Sequence, residues 1–363
     1  MIEKDVVIIG GGPAGLCAAE MFIDTSLSVL IVDRDHHLGG QLVKQTHKFF
    51  GSEKQHAKTR GFHIAKKLID KISGYPHIET MLGTTVTGLY HDQVLTVIKD
   101  STYQKIKTKA LIVATGASEK FLAFENNDLP GIYGAGAIQT LMNVYGIKPD
   151  DDVVMIGSGN IGLIVSYQLI QAGVQVKAVV EAQDSIGGYK VHASKLKRLG
   201  VPFLMQTTIK KAIGDQKLEA VELVKLDRNF NPVEGSEFQI KTNALCVAVG
   251  LSPLSQLMAM IDIKMKYVKE LGGLVPALSD EHQSSVKWLF ASGDVTGIEE
   301  ASSAMMEGYL SALGVLKYLD QPHEKHDELF RFYHDQLNLL RDSLYGIKTK
   351  EGLEKLKEAI YVE

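Results

Sequence analysis

The amino-acid sequence predicts an α/β fold with two parallel sheets, and two glycine-rich segments are the main reason. Gly-Gly-Gly-Pro-Ala-Gly at 10–15 and Gly-Ser-Gly-Asn-Ile-Gly at 157–162 each follow a short apolar run rich in β-branched residues. Each is followed by a helical pattern, a second apolar run and then an acidic residue. Runs of this kind suit strands covered on both faces, so we expect two Rossmann-like units with helices on each side of a parallel sheet.

Composition and charge describe an ordinary globular chain. Its 363 residues are enough for two or three packed domains, and 45% of them are hydrophobic and 23% charged. The formal net charge of −4 offers no basic surface for nucleic acid. The start of the chain has no signal-peptide layout, and the apolar run at 6–9 is too short to cross a bilayer. We therefore expect a cytoplasmic protein that binds neither nucleic acid nor membranes.

The first glycine-rich segment predicts a binding loop for a dinucleotide. Gly10 permits a tight turn, Gly12 lets the backbone approach a pyrophosphate, and Gly15 lets the next helix pack closely on the strand. That helix begins near Pro13, and its free N–H groups and positive dipole end would hold the diphosphate. A second strand ends at Asp33, the acid expected to accept both ribose hydroxyls of an adenosine. This part of the site comprises Gly10, Gly12, Pro13, Ala14, Gly15, Asp33 and Arg34.

The second glycine-rich segment predicts another dinucleotide site with the same mechanics. A strand at 153–156 leads into it, and a strand at 176–180 ends at Glu181. The Glu181 carboxylate would repel a 2′-phosphate, and no arginine follows to receive one, so NAD(H) is favoured over NADP(H). The open alternative is a unit that keeps the fold and holds another adenine nucleotide, or none. The residues assigned here are Gly157, Gly159, Asn160, Ile161, Gly162 and Glu181.

Two further segments identify the nucleotide of the first unit by resemblance. Ala-Thr-Gly at 114–116 and Gly-Asp at 293–294 each follow a predicted strand. They resemble motifs of the two-dinucleotide-binding-domain flavoproteins, the superfamily of thioredoxin reductase and lipoamide dehydrogenase. The resemblance implies FAD in the first unit, with Asp294 hydrogen-bonded to the ribityl chain and the next helix aimed at the pyrimidine edge of the flavin. It assigns to FAD Gly40, Gln41, Ala114, Thr115, Gly116, Gly293, Asp294, Glu300, Ala301 and Ser302.

The chain lacks the redox-active disulfide that enzymes of this superfamily carry. It has 2 cysteines, Cys17 and Cys246, and both lie in apolar stretches, which predicts buried thiols. Relatives place the cysteine pair after the segment that contains Gly40 or ahead of the second glycine-rich segment, near 129–139. Neither place offers a thiol in this sequence, so a dithiol relay is excluded.

Segments 130–141 and 293–305 are similar to the flavin subunits of multi-subunit amine dehydrogenases and oxidases. That group includes subunits of opine oxidase, hydrogen cyanide synthase, sarcosine oxidase and dye-linked proline dehydrogenase. The resemblance implies an FAD-dependent oxidoreductase that exchanges hydride between NAD(H) and flavin, with a partner flavoprotein subunit or as a homo-oligomer. A four-cysteine iron–sulfur module, which many of these relatives carry, is absent from this sequence.

Two other functions stay open at this point. One is a stand-alone NADH-dependent reductase that passes electrons to a small protein or a quinone. The other is a non-catalytic nucleotide-binding subunit of a flavoprotein complex. No catalytic side chain is assigned, because in a flavoenzyme the flavin itself carries the hydride chemistry.

The expected domain order places one unit inside another. The FAD-binding domain would comprise 1–117 and 245–320, the NAD-type domain 118–244, and a helical tail 321–363. Apolar residues of the tail recur at helical spacing, which predicts a helical hairpin that packs on the FAD domain or contacts another subunit. They are Leu329, Tyr333, Leu337, Leu340, Leu344, Leu353, Leu356 and Ile360. The tail histidines stand in a highly charged stretch, so we expect no metal site.

Overall fold

The computed structural model describes residues 1–343 and 346–361. The chain divides into two compact units: unit 1 comprises Met1–Ser118 and Ser252–Glu363, and unit 2 comprises Glu119–Leu251. This is an α/β fold with one discontinuous unit, a second unit inserted in its sequence and a helical C-terminal region, which confirms the predicted fold class.

The described residues form strands and α-helices in both units. The strands are β1 (Ile2–Ile9), β2 (Val29–Val32), β3 (Ile78–Met81), β4 (Thr84–Leu89), β5 (Val94–Lys99), β6 (Thr102–Val113), β7 (Ala117–Glu119), β8 (Ile132–Gly134), β9 (Asp152–Ile156), β10 (Gln175–Val180), β11 (Phe203–Leu204), β12 (Thr207–Ile213), β13 (Ala220–Lys225), β14 (Phe238–Lys241), β15 (Leu245–Val247), β16 (Leu251–Pro253), β17 (Met265–Val268), β18 (Gly273–Pro276) and β19 (Leu289–Ala291). The α-helices are α1 (Pro13–Glu20), α2 (Gly61–Ile72), α3 (Ala135–Asn143), α4 (Asn160–Gln171), α5 (Lys190–Arg198), α6 (Ala301–Tyr318), α7 (His326–Arg341) and α8 (Ile347–Tyr361).

Unit 1 is built on a sheet in the order β3-β2-β1-β6-β5-β4, with β19 pairing β6. Strands β3, β2, β1, β6 and β19 run parallel, and β5 runs antiparallel to β6. The residues Val29–Val32 are all buried, because α1, α2 and α6 pack on one face of the sheet and a second apolar cluster covers the other. The carboxyl ends of β1, β6 and β19 therefore meet at one edge of the sheet, where ligands bind in folds of this type.

Unit 2 has a parallel sheet in the order β11-β10-β9-β15-β8 and an antiparallel sheet in the order β12-β13-β14. Residues 245–251, which the sequence analysis placed in the FAD-binding domain, belong to unit 2. The physical reason is that β15 lies between β9 and β8 and pairs with both in parallel register, so it is an interior strand of this sheet.

The helical tail packs on unit 1, which is the first of its two predicted alternatives. Leu337 of α7 is buried in the core formed with α1 and α6, and Tyr333 stacks on Tyr309 of α6 with 4.3 Å between ring centroids. Leu356 of α8 joins a small separate core. Leu344 lies outside the described residues, as do the side-chain surroundings of Ile360. Among the described helices, none combines the length and the apolar character needed to cross a membrane.

Candidate functional site

The first glycine-rich loop joins β1 to α1 and requires glycine at two positions. Gly10 has a φ of 106°, and a Cβ there would overlap the carbonyl oxygen of Ala114 at the end of β6. A Cβ on Gly15 would overlap the carbonyl oxygen of Gly10. The loop is therefore held tightly between neighbouring strands, with the N-terminus of α1 behind it.

The position of Gly12 forms a cradle beside this helix end. A Cβ built on Gly12 would have one neighbour within 4 Å in the described part of the chain, the Cα of Gly40 at 3.8 Å. A Cβ on Gly40 would lie 2.7 Å from the Cα of Gly12, so the two backbones face each other without side chains between them. Pro13 occupies the first turn of α1, and no described side chain caps it. These residues fit a diphosphate, which would accept hydrogen bonds from the first N–H groups of the helix.

Asp33, at the end of β2, is held by the loop beside it. Its Oδ2 accepts a hydrogen bond from the N–H of Gly11 at 2.6 Å, and its Oδ1 accepts one from the N–H of Asp35 at 2.9 Å. An ionised carboxylate has about four acceptor positions, so about two remain for the hydroxyl groups of a ribose.

The end of β6 and the helix α6 meet the first loop. Ala14, Ala114 and Ala304 form a small apolar cluster, whose short side chains let the three elements converge. The hydroxyl of Thr115 donates to the carbonyl oxygen of Leu254 at 2.8 Å. This bond links the turn after β6 to the second segment of unit 1, which begins at Ser252. This turn continues into Gly116, whose φ is 71°.

A tight turn after β19 presents Asp294. Gly293 has a φ of 81°, and a Cβ there would lie 3.0 Å from the Cβ of Ala14. Burial, reinforced by the charges of Glu307 and Glu299, raises the pKa of the Asp294 carboxyl to about 7. Sequence reasoning missed Glu307 and Glu299; the available signal was an acidic residue at 307 within the long apolar run of α6.

The helix α6 begins beside this turn, with Glu300 as its N-cap residue and no described side chain capping it. Ser302 is buried and Ala301 half-buried in its first turn. A Cβ on Gly308 would overlap the carbonyl oxygen of Ala14, so α6 and α1 touch through their backbones. The structure thus brings the predicted residues of β1, β6 and β19 together. The exposed members of the set predicted to bind FAD are Arg34, Gln41 and Glu300.

The second glycine-rich loop in unit 2 repeats the same construction. Gly157 has a φ of 101°, and a Cβ there would overlap the carbonyl oxygen of Ala248. A Cβ on Gly162 would overlap the carbonyl oxygen of Gly157. A Cβ on Gly159 would have no described atom within 4 Å, so the N-terminus of α4 is open at this position. Ile161, in the first turn of α4, is 39% exposed.

Glu181 is anchored in the same way as its counterpart in unit 1. Its Oε2 accepts hydrogen bonds from the N–H and the hydroxyl of Ser158 at 2.9 and 2.6 Å, and its Oε1 accepts one from the N–H of Gln183 at 3.0 Å. The hydroxyl of Ser158 has no equivalent at Gly11. Glu181 therefore keeps fewer acceptor positions for a ribose than Asp33 does.

A glycine pair closes over each loop, and sequence reasoning missed that this feature is shared. The N–H of Gly39 donates to the carbonyl oxygen of Gly11 at 2.8 Å, and the N–H of Gly188 donates to that of Ser158 at 2.9 Å. In unit 2 the Oδ1 of Asn160 also accepts a hydrogen bond from the N–H of Tyr189 at 2.8 Å. The signal was the glycine pair at nearly the same distance after each loop.

Both thiols are buried and stay protonated at neutral pH. Burial raises the pKa of the Cys17 thiol to about 12, and it raises that of Cys246 well above the ordinary value. A thiol protonated at neutral pH is a poor nucleophile. Cys17 lies on α1 and Cys246 on β15, in different units.

Comparison with known proteins places these loops in a family. A family model described as pyridine nucleotide-disulphide oxidoreductase matches residues 4–308. Hydrogen cyanide synthase subunit HcnB of Pseudomonas aeruginosa is 26% identical over 328 residues, covering 85% of this chain and 70% of that protein. Sarcosine oxidase subunit alpha of Rhizobium meliloti is 24% identical over 333 residues, covering 88% of this chain and 31% of that protein.

Solved structures share the fold. The L-proline dehydrogenase of P. horikoshii has a TM-score of 0.69 at 23% identity, covering 93% of this chain and 59% of that one. The thioredoxin reductase of T. acidophilum has a TM-score of 0.71 at 23% identity, covering 88% of this chain and 99% of that one. The chain therefore spans less than two thirds of the sarcosine oxidase and proline dehydrogenase chains.

The family match extends from the first strand of unit 1 through unit 2 to the first turns of α6. It therefore includes both glycine-rich loops, both anchored acids and the Gly293–Asp294 turn. The chain belongs to the pyridine nucleotide-disulphide oxidoreductase family, as an FAD-dependent oxidoreductase that uses a nicotinamide dinucleotide and carries no redox-active disulfide of its own.

Proposed function

We propose that unit 1 binds FAD and unit 2 binds NADH, and that the chain exchanges hydride between them as one subunit of an amino-acid or amine dehydrogenase complex. The observation that carries the proposal is the anchored acid that follows each glycine-rich loop, Asp33 in unit 1 and Glu181 in unit 2. Both acids are oriented by the backbone of the loop that would hold the diphosphate. A cytoplasmic location stays a prediction.

In unit 1 the side chains and the backbone bind and orient the cofactor. The N-terminus of α1 holds the diphosphate. Asp33 accepts hydrogen bonds from the ribose hydroxyls, and Asp294 accepts one from a hydroxyl of the ribityl chain. The positive end of α6 lies beside the Asp294 turn and favours negative charge on a ligand placed there. FAD, when bound, accepts or donates the hydride.

A partner subunit is supported by the names of the relatives. Hydrogen cyanide synthase HcnB and sarcosine oxidase alpha are each named as subunits, and sarcosine oxidase and L-proline dehydrogenase are named for amino-acid substrates. We propose the same class of assembly for this chain, with a second flavoprotein that oxidises the amino acid or amine.

Cofactor binding, reduction by NADH, turnover with an acceptor and co-purification together test the proposal. Bound FAD is expected to colour it yellow, and NADH is expected to bleach the flavin under anaerobic conditions. Failure to bind FAD after reconstitution would contradict the first assignment. Absence of NADH oxidation with an artificial acceptor would favour a non-catalytic nucleotide-binding subunit. Oxidation without co-purification of a second flavoprotein would favour a stand-alone reductase.

We predict that NADH is preferred over NADPH. In the proposed complex the Glu181 carboxylate meets the ribose, where it would repel a 2′-phosphate and accept hydrogen bonds from a ribose diol. Anaerobic bleaching is expected to saturate at a lower concentration of NADH than of NADPH. Glu181→Gln is expected to lower the ratio of the NADPH concentration to the NADH concentration needed for half-maximal bleaching. Asp184→Asn is the matched control, because Asp184 lies in the exposed loop that follows. A ratio unchanged by Glu181→Gln would place Glu181 away from the ribose.

We predict that neither cysteine takes part in electron transfer. Cys17→Ser and Cys246→Ser are expected to keep flavin reduction by NADH. Cys246→Ser is expected to lose about 1–3 kcal/mol of stability because its buried hydroxyl lacks a partner, and Cys17→Ser is expected to lose less because its hydroxyl can bond the hydroxyl of Tyr309. Reductive titration with dithionite is expected to consume two electrons per FAD. Uptake of four electrons, or loss of hydride transfer after thiol alkylation, would contradict the disulfide-free mechanism.

A further inference from the structure

A buried arginine at the end of α7 reaches the turn that carries Asp294. The Nη2 of Arg341 donates to the Oε1 of Glu299 at 2.5 Å and to the Oε1 of Glu307 at 2.6 Å. Its Nε donates to the same Glu299 carboxylate at 3.0 Å. The side chains of Arg341, Glu299 and Glu307 are 12%, 11% and 4% exposed. We call these three residues the Arg341 cluster.

The second oxygen of Glu307 holds the turn itself. Oε2 accepts a hydrogen bond from the N–H of Gly293 at 2.7 Å and one from the hydroxyl of Thr296 at 2.9 Å. One carboxylate thus bonds the first and last residues of the 293–296 turn through one oxygen and Arg341 through the other. Asp294 lies inside this turn, so the position of its carboxyl depends on where Glu307 stands.

We propose that Arg341 is a positioning residue for the flavin site: by holding Glu307 and Glu299, it fixes the turn from which Asp294 meets the ribityl chain. This rests on the proposed binding of FAD in unit 1. It also assigns a function to the helical tail, because α7 supplies the one cation of the Arg341 cluster.

Electrostatics explain why an arginine is needed at this place. Burial raises the pKa of Glu307 and of Glu299, and the Arg341 guanidinium opposes this rise. Asp294 and Glu300 add further negative charge near the same turn. His282 also faces the cluster, but burial lowers its pKa to about 4, so it is neutral between pH 6 and 8. Without Arg341 two buried carboxylates would face Asp294 without compensation, which is costly in a region of low dielectric constant.

The test compares FAD affinity at pH 6 and pH 8 in the full-length protein. The variants are Arg341→Met, Arg341→Lys and the triple variant Arg341→Met/Glu299→Gln/Glu307→Gln. Arg331→Met is the matched control, because Arg331 is an exposed arginine of the same helix whose Nε donates to the carbonyl oxygen of Asp327 in α7. Thermal unfolding of each apoprotein is measured alongside.

Arg341→Met is expected to weaken FAD binding about tenfold or more at pH 8. The loss is expected to be smaller at pH 6, because protonation of Glu299 and Glu307 relieves their repulsion. Arg341→Lys is expected to recover part of the affinity, since it keeps a cation but not the forked geometry. The triple variant is expected to bind FAD more weakly than wild type, and its loss of affinity is expected to be the same at pH 6 and at pH 8. Arg331→Met is expected to bind FAD like wild type.

A purely structural role for Arg341 would lower the unfolding temperature and leave the pH dependence of FAD affinity unchanged, and that result would overturn the proposal. If Arg341→Met fails to fold, the triple variant decides: wild-type affinity in it would show that the cluster does not position the turn. If wild-type protein itself does not bind FAD, the proposed function fails rather than this inference.

Discussion

Asp294→Ala is expected to weaken the retention of FAD by the purified protein. Asp294 lies in a turn fixed at both ends by Glu307, and in the proposed complex it accepts a hydrogen bond from a ribityl hydroxyl. Loss of the acceptor for a buried hydroxyl costs about 1–3 kcal/mol, which corresponds to a fall in FAD affinity of roughly 5-fold to 150-fold. Titration of the apoprotein with FAD, followed by quenching of flavin fluorescence, measures the change.

Asp294→Asn is the matched control, because it keeps an oxygen acceptor but cannot ionise. Its FAD affinity is expected to fall less than that of Asp294→Ala. The pKa of Asp294 is raised to about 7 in the folded protein. Its favourable contribution to stability is therefore full below the unfolded pKa of about 4 and is lost as pH rises through about 7. The stability of the Asp294→Asn apoprotein relative to that of wild type is therefore expected to increase as the pH rises from 5 to 8.

Two results would contradict this account of Asp294. Unchanged FAD affinity in Asp294→Ala would show that the carboxyl does not contact the ribityl chain. A stability difference between wild type and Asp294→Asn that does not vary from pH 5 to pH 8 would show that Asp294 titrates normally.

Gly12→Ala and Gly159→Ala are expected to separate the two nucleotide sites. A methyl group at Gly12 would lie 3.8 Å from the Cα of Gly40, and one at Gly159 would meet no described atom within 4 Å, so both folds accommodate it. The methyl would occupy the space through which a diphosphate approaches the helix. Overlap of one methyl group costs about 1–3 kcal/mol, which corresponds to a fall in affinity of roughly 5-fold to 150-fold.

Each substitution is expected to impair one nucleotide site and to leave the other site intact. Gly12→Ala loses FAD, while Gly159→Ala keeps FAD and needs more NADH for half-maximal bleaching. Apoprotein unfolding temperatures are expected to stay near that of wild type in both. Gly15→Ala is the contrasting variant, because its Cβ would overlap the carbonyl oxygen of Gly10 and should destabilise unit 1 itself. Loss of FAD in Gly159→Ala, with the fold retained, would contradict the assignment of separate sites.

The two loops and their acids could be predicted from the sequence because their signals are local. Gly10, Gly15, Gly157 and Gly162 stand where a Cβ would overlap backbone, so glycine at these positions reports the geometry directly. Asp33 and Glu181 each end a buried strand, and a strand end fixes where the next side chain lies. The roles of these residues in binding stay predictions.

The boundary at 245 and the role of the tail could not be predicted. Leu245–Val247 is an apolar run that suits an interior strand of either parallel sheet, and only its pairing with β9 and β8 assigns it to unit 2. Arg341 stands 34 residues after Glu307 in a tail whose charged residues otherwise indicate exposure to solvent. An arginine on a helical pattern does not reveal which carboxylates it will meet.

The sequence by itself determined the fold class, the two nucleotide loops, their acids and the absence of a redox pair, because each depends on residues that are adjacent along the chain or on composition. Tertiary structure alone decided that α7 returns to the Asp294 turn and that Glu307 links that turn to Arg341. The physical reason for this arrangement is burial. Three charged groups can leave water together only where folding brings a guanidinium within hydrogen-bonding distance of both carboxylates.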